Sequence, residues 1–258
     1  MFIIKLGGSV ITNKRKKNTF ERERTSRLIS EIKESGKRTI IVHGAGSFGH
    51  ILAKQYELFM GYKNQKQIMA LAEVQKDVKN LNLKVLSKFR EEGISAVSLA
   101  PSAFLVNDNG KIKRMDSSLF KKYFELGFTP ITFGDVVIDE TLKFSICSGD
   151  QIMLELAKAF SPEKVIFVAD VDGIFSSDPI FGESSMFLPV VDENTFLSVK
   201  KSEGKVDDVT GSIYGKIEIM LKIASLGYET LILNGNVENR LKDALLNKEV
   251  VCTKIMGK

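Results

Sequence analysis

Residues 39–50, TIIVHGAGSFGH, run from a β-branched segment into a turn with three glycines in six positions, and a helical segment, ILAKQYELF, follows at once. The order strand, glycine-rich turn, helix N-terminus aims unpaired backbone N–H groups and the positive end of a helix dipole at one spot, which suits phosphate oxygens. Both histidines of the chain, His43 and His50, fall inside this stretch. Gly44, Gly46 and Gly49 also satisfy the G-x-G-x-x-G spacing of a dinucleotide site. That fingerprint needs a short βαβ unit with an acidic residue about 20 positions on, whereas residues 56–92 read as two long helical segments. A purely structural tight turn is the plainer alternative.

Upstream, residues 2–5, FIIK, form a first strand that enters Leu6-Gly7-Gly8-Ser9. A glycine pair after a buried strand lets the backbone approach a ligand, and Lys5 stands where its ammonium reaches the same place. Residues 21–35 carry Leu28, Ile29 and Ile32 on one helical face, with Gly36 as the stop before a strand at 38–42. A right-handed crossover then brings both glycine turns to one carboxyl edge of a parallel sheet.

Downstream, Ile68, Leu71, Val74, Val78, Leu81 and Val85 recur at spacings of three and four, which predicts a long amphipathic helix over 64–89, buried in the core or at a dimer surface. A strand is expected at 95–100, a hairpin at 106–114, a short helix at 120–126, a strand at 129–133 and a second hairpin at 137–144. Ser148-Gly149-Asp150 opens a helix at 151–160, where Asp150 reads as an ordinary N-cap or as a functional carboxylate. After a strand at 164–169 comes Asp170-Val-Asp172-Gly173, which is no calcium loop because the glycine comes too early and no twelfth-position glutamate follows. It suits a ribose or a magnesium-bound nucleotide. Residues 182–206 read as loop. Lys216 lies in the first turn of a helix at 213–225, where it opposes the helix dipole and implies a bound anion. Two strands, at 230–233 and 249–255, close the chain around a helix at 237–246. Alternating strands and helices predict an α/β protein with a mainly parallel, doubly wound sheet and the hairpins as a lid.

Composition narrows the class. The 258 residues are 43% apolar, enough for a sizeable core. No apolar run approaches the ~18 residues of a membrane span, and the amino terminus lacks a signal-peptide pattern. Cys147 and Cys252 form no CxxC pair, so a reducing, cytoplasmic setting is expected. A net charge of +5 is spread along the chain apart from Lys14-Arg15-Lys16-Lys17, and no aromatic-interleaved basic motif argues for nucleic acid. There is no P-loop, no protein-kinase motif set, no G-x-S-x-G elbow and no metal-ligand spacing of His and Cys. Lysines at glycine turns with two acidic loops remain, an inventory for phosphates.

In their order, Lys5-Leu-Gly-Gly-Ser9, the turn ending Gly46-Ser-Phe-Gly-His50, Ser148-Gly149-Asp150, Asp170-Val-Asp-Gly-Ile174 and Thr210-Gly211 through Lys216 resemble the amino acid kinase superfamily over essentially the whole chain. Within it, the acceptor turn is similar to that of the isopentenyl phosphate kinases. The resemblance implies an αβα sandwich, a homodimer, an acceptor half over 1–147 and an ATP half over 148–258. It also implies isopentenyl phosphate as acceptor, and ATP carrying its own Mg²⁺ with no protein metal site. Lys5, Lys14, His50, Asp150 and Lys216 would be catalytic. Gly8, Ala45, Gly46, Gly49, His50 and Gly149 would hold the acceptor. Lys5, Gly7, Gly8, Ser9, Gly46, Asp170, Asp172, Gly173, Ser176, Asp178, Gly211, Ser212 and Lys216 would serve ATP. Ala45 stands where the family often has a third consecutive glycine, Ser212 where Thr-Gly-Gly is common, and Cys252-Thr253 replaces a frequent Gly-Thr.

A phosphate monoester has its second pKa near ~6, so at neutral pH it is already a nucleophilic dianion and needs no general base. This favours a phosphate, phosphonate or carboxylate acceptor, whose hydrocarbon tail would lie along the helix near residues 69–86. A fosfomycin-type kinase and a non-catalytic nucleotide- or anion-binding protein are the alternatives.

Overall fold

The computed structural model describes residues 1–177, 185–202 and 213–257. The β-branched run at the start forms β1 (Phe2–Leu6), which α1 (Gly8–Ile11) and α2 (Arg22–Glu34) connect to β2 (Thr39–His43). The glycine turn passes into α3 (Gly46–Gln55) and α4 (Lys66–Glu91). Next come β3 (Ala96–Ser98), α5 (Pro101–Phe104), β4 (Leu105–Asp108), β5 (Lys111–Met115), α6 (Ser118–Glu125), β6 (Thr129–Phe133), β7 (Asp135–Asp139) and β8 (Lys143–Cys147). The remainder holds α7 (Gly149–Phe160), β9 (Lys164–Ala169), β10 (Ile174–Phe175), β11 (Phe187–Leu188), β12 (Val190–Val191), α8 (Glu193–Ser202), α9 (Ile213–Ser225), β13 (Glu229–Asn234), α10 (Arg240–Leu245) and β14 (Cys252–Ile255).

Eight strands form one sheet in the order β12-β14-β13-β9-β1-β2-β6-β3, parallel throughout except where β13 meets β14. Alternate residues of β1 divide between two cores, as the two-residue period of a strand requires. Ile3 joins α7 and α9 through Ile152, Met153, Leu156, Ile217 and Met220. Phe2, Ile4 and Leu6 join α2 and α4 through Leu28, Ile29, Ile32, Leu81, Val85 and Phe89. The result is the αβα sandwich. Leu6 pairs with both His43 and Val168, and His43 with Phe133, so the strand ends gather at one carboxyl edge.

Four readings of the sequence change. Residues 56–92 hold a 3₁₀ turn, Leu58–Met60, and one 26-residue helix rather than two long helices. Left-handed Glu57 and Gly61 break the chain there, and Gln67 Oε1 accepts the N–H groups of Lys63 and Asn64 to start α4. The two hairpins are one sheet, β5-β4-β7-β8, because the Asp139 carboxylate accepts N–H groups from Asn109, Gly110, Thr141 and Leu142. Burial alone would raise the pKa of Asp139, but those donors and the Ser145 hydroxyl hold it at about 2. Ser148, not Asp150, caps α7: its Oγ accepts the Gln151 N–H while Gln151 Oε1 accepts the Ser148 N–H. Within 182–206, the described residues form β11, β12 and α8 instead of open loop.

Candidate active site

The two glycine turns pack directly on each other. A Cβ on Gly8 would lie 2.6 Å from Gly46 N, and one on Gly44 would lie 2.5 Å from Gly8 N, so side chains are excluded by backbone that cannot yield. Thr12 ties the turns together, its hydroxyl donating to Gly8 O at 2.6 Å and accepting the Ser47 N–H at 3.0 Å. Because α3 begins at Gly46, His50 stands in its second turn rather than at its start.

Lys5 shares the strand face of Ile3 and therefore points toward α7. Its ammonium meets Asp150 Oδ1 at 2.5 Å, and both side chains are largely buried. The capping box leaves the Asp150 carboxylate free for this pairing. Burial acts to raise the Asp150 pKa, yet the charges of Lys5 and Lys216 bring it below the usual carboxylate range. Lys216 is itself lowered, first by burial and then by the charge of Lys5, against the pull of Asp150 and Asp170. Asp170 accepts the Ser9 hydroxyl at 2.7 Å and the exposed Lys14 ammonium at 2.9 Å. Against its burial, those two partners hold it ionised. Three lysines and two carboxylates thus converge from β1, α7, α9 and the loops after α1 and β9.

These groups line a cavity of about 460 Å³ with Gly7, Gly8, Ser9, Ala45, Gly46, Gly49, His50 and Gly149. Its other wall is apolar, made of Ile51, Ala53, Val74, Val78, Val136 and Ile146. Val74 and Val78 are the part of α4 that faces the cavity, whereas Met69 is 76% exposed on its outer surface. His50 lines the cavity and its side chain is also exposed; desolvation by its neighbours, then the charges of Lys5 and Lys216, lower its pKa. His43 belongs to the core: it is stacked on Phe133, its Nε2 lies 3.2 Å from Asn82 Oδ1, and burial lowers its pKa to about 4.

Other expected residues lie apart. Asp172 pairs with Arg240 at 2.5 Å and with Asn234 at 3.2 Å, off the cavity lining. A Cβ on Gly173 would lie 2.3 Å from Thr253 Oγ1, and Ser176 Oγ accepts the Met186 N–H at 3.0 Å. Asp178, Gly211 and Ser212 lie outside the described residues. Sequence reasoning did not single out Thr12, Ser47 or Asp135, all three buried and the last two in the cavity lining. Only the Gly134-Asp135 pair at a strand end hinted at the last. A wider groove of about 830 Å³ lies near Lys164 and Glu249, but the Lys164 ammonium is already met by Ala244 O, Asn247 and Glu229.

The model of the amino acid kinase family matches residues 1–234. The isopentenyl phosphate kinase of Methanothermobacter thermautotrophicus is 39% identical over the full length of both chains. That of Thermoplasma acidophilum is 36% identical over 94% of this chain and 95% of its own. A crystal structure of isopentenyl phosphate kinase superposes with a TM-score of 0.88 at 37% identity, covering 99% of this chain and 100% of that one. A substrate complex of isopentenyl phosphate kinase gives 0.83 at 32% identity, covering 99% and 100%. The acetylglutamate kinase of Kosmotoga olearia is 27% identical over 98% of this chain and 90% of its own. The chain belongs to the amino acid kinase family and, within it, is similar along its whole length to isopentenyl phosphate kinases.

Proposed function

We propose that this protein transfers the γ-phosphoryl group of ATP to isopentenyl phosphate, giving isopentenyl diphosphate, a step of isoprenoid biosynthesis. The observation that carries the reading is one cavity whose polar end holds the Lys5–Asp150 pair and two facing glycine turns, while its other end is a small apolar wall. That shape fits a phosphate on a short hydrocarbon. The activity for which the relatives are named supports it.

The acceptor's phosphate would sit on the N–H groups around Ala45, Gly46, Gly49 and Gly149 together with His50, and its tail against Val74, Val78, Val136 and Ile146. An oxygen of this dianion forms the new bond to the γ-phosphorus as the bond to the leaving ADP oxygen breaks, and no proton has to move. Lys5 and Lys216 offset the charge that gathers on the transferring group, Asp150 holds both in place, and Lys14 approaches from its loop. Residues 1–147 mainly serve the acceptor and 148–258 mainly ATP. Asp170, with Ser9, Asp172, Gly173 and Ser176, is our assignment to the nucleotide side. Mg²⁺ would arrive on the ATP phosphates and offset their charge; both Asp170 oxygens are met by Ser9 and Lys14, so the ion would come as part of the nucleotide. Exposed Ile68, Met69 and Leu83 on α4 support a homodimer. A cytoplasmic setting accords with the two free cysteines, and no helix among the described residues is long and apolar enough to cross a membrane.

Measuring ADP release with isopentenyl phosphate, dimethylallyl phosphate, fosfomycin, uridylate and acetylglutamate tests the reading. The expected result is the highest kcat/KM with isopentenyl phosphate; a higher value with fosfomycin or a carboxylate acceptor rejects it.

A further inference from the structure

The cavity holds a carboxyl group that the reaction above leaves unused. Asp135, the first residue of β7, is 3% exposed and lines the cavity. Its Oδ1 accepts the Val136 N–H at 2.8 Å, whereas Oδ2 is buried with no hydrogen-bond partner among the described residues. An unmet buried polar group costs on the order of 1–3 kcal/mol, so its place in the cavity wall calls for a ligand. Its neighbours fix where that ligand lies. A Cβ on Gly134 would come within 3.1 Å of Gly149 N at the polar end, and Val136 belongs to the apolar wall. Asp135 therefore stands where the two ends meet.

We propose that Oδ2 of Asp135 is a further acceptor-binding group, a neutral carboxyl O–H that donates to an oxygen of the phosphate monoester near its junction with the hydrocarbon. The inference rests on the proposed reaction and adds a contact to it. Burial raises the pKa of Asp135 to about 7, opposed by the Val136 N–H and by the charge of Lys79 on α4. Across the β7–β8 pairing lies Cys147, whose thiol burial keeps protonated. Lys5, His50 and Asp150 line the same cavity from β1, α3 and α7, with Lys14, Asp170 and Lys216. A dianionic acceptor repels the ionised form of Asp135, so binding selects the protonated one. As pH rises through about 7 that form is lost, and KM rises.

The test is steady-state kinetics with isopentenyl phosphate at saturating ATP between pH 6.5 and 8, on the wild type, Asp135→Asn and Asp135→Ala. Asparagine keeps a donor of the same shape and cannot ionise. Its profile also carries the titration of the acceptor, so the difference between the two profiles isolates Asp135. Over this range KM of the wild type should rise on the order of tenfold more than that of Asp135→Asn, with kcat unchanged. Asp135→Ala should raise KM on the order of tenfold already at pH 6.5. A wild type inert toward isopentenyl phosphate overturns the reaction and this role together. An active wild type sharing one KM slope with Asp135→Asn overturns the role of Asp135 alone, whether or not the alanine variant folds.

Discussion

The turns after β1 and β2 and the loop after β9 are written in the same alphabet, glycines among polar residues just beyond a buried strand, and the fold uses them differently. At the first two, glycine is required because two backbones touch: Gly8, Gly44 and Gly46 fill one another's side-chain space beside the cavity. At the third, Gly173 is required because Thr253 and Phe187 occupy that space, and Asp172 is taken by Arg240. A glycine after a strand signals a close approach. Elements distant in sequence decide whether a ligand or the chain itself makes it.

The largest effect should come from the amino-terminal side of this comparison. Lys5→Ala removes the cation closest to Asp150 and should lower kcat about 10³-fold, roughly 4 kcal/mol on the barrier. Stopped-assay turnover alongside circular dichroism separates this from unfolding, since the variant leaves the buried Asp150 carboxylate less well paired. Turnover within tenfold of wild type would move the transferring group away from the first glycine turn.

Within the second turn, His43 and His50 divide the same roles between core and cavity. His43 titrates at about 4 in the folded protein, against an ordinary value of about 6.5. Between those pH values the unfolded chain binds a proton that the folded chain refuses, so stability is full above about 6.5, falls as pH drops and levels off below about 4. The loss amounts to about 3 kcal/mol. Asp135 runs the other way, because its raised pKa favours the folded state as pH falls from about 7. The readout is therefore the difference in denaturant midpoints between wild type and His43→Asn across this window. Parallel curves would show that burial of His43 does not govern acid sensitivity.

His50 should respond in activity instead. His50→Ala should cut kcat/KM for isopentenyl phosphate on the order of 10²-fold, about 2.7 kcal/mol, while thermal stability stays within about 1 kcal/mol and ATP affinity is kept. His50→Gln, which retains a donor, should recover part of the loss. An unfolded His50→Ala would place this ring with His43 in the structural class.

Much of this was legible because it is local. The periods of β1, β2, α2, α4 and α9, and the glycine spacing of both turns, are set by neighbours within a few residues. Lys5, Lys216 and Asp150 could be singled out because each breaks a local preference or sits beside a glycine turn. The misread parts depend on distant partners. Asp139 fuses two hairpins through N–H groups contributed from both, and Ser148 rather than Asp150 takes the cap because Gln151 answers it from the third position of the helix. Asp135 and Thr12 follow no spacing rule at all. Their importance comes from what the crossover folds against them.

The smallest effect falls on the carboxy-terminal side, and it separates two uses of one carboxylate. The Asp172 side chain is 45% exposed, and it bridges Arg240 and Asn234 next to α10. An ion pair this exposed contributes within about 1 kcal/mol, so Asp172→Ala should lower stability by no more than that. If bridging is all that Asp172 does, KM for ATP should stay within about threefold, because no binding contact with the nucleotide is lost. If Asp172 also reaches the nucleotide, KM for ATP should rise on the order of tenfold with kcat unchanged, and Arg240→Ala, which frees the carboxylate, should leave that contact in place. Comparing the two variants at one pH therefore decides whether the loop after β9 serves the nucleotide as the turns after β1 and β2 serve the phosphates. A rise in KM for ATP confined to Asp172→Ala assigns it to binding, and equal small losses of stability in both variants assign it to the fold.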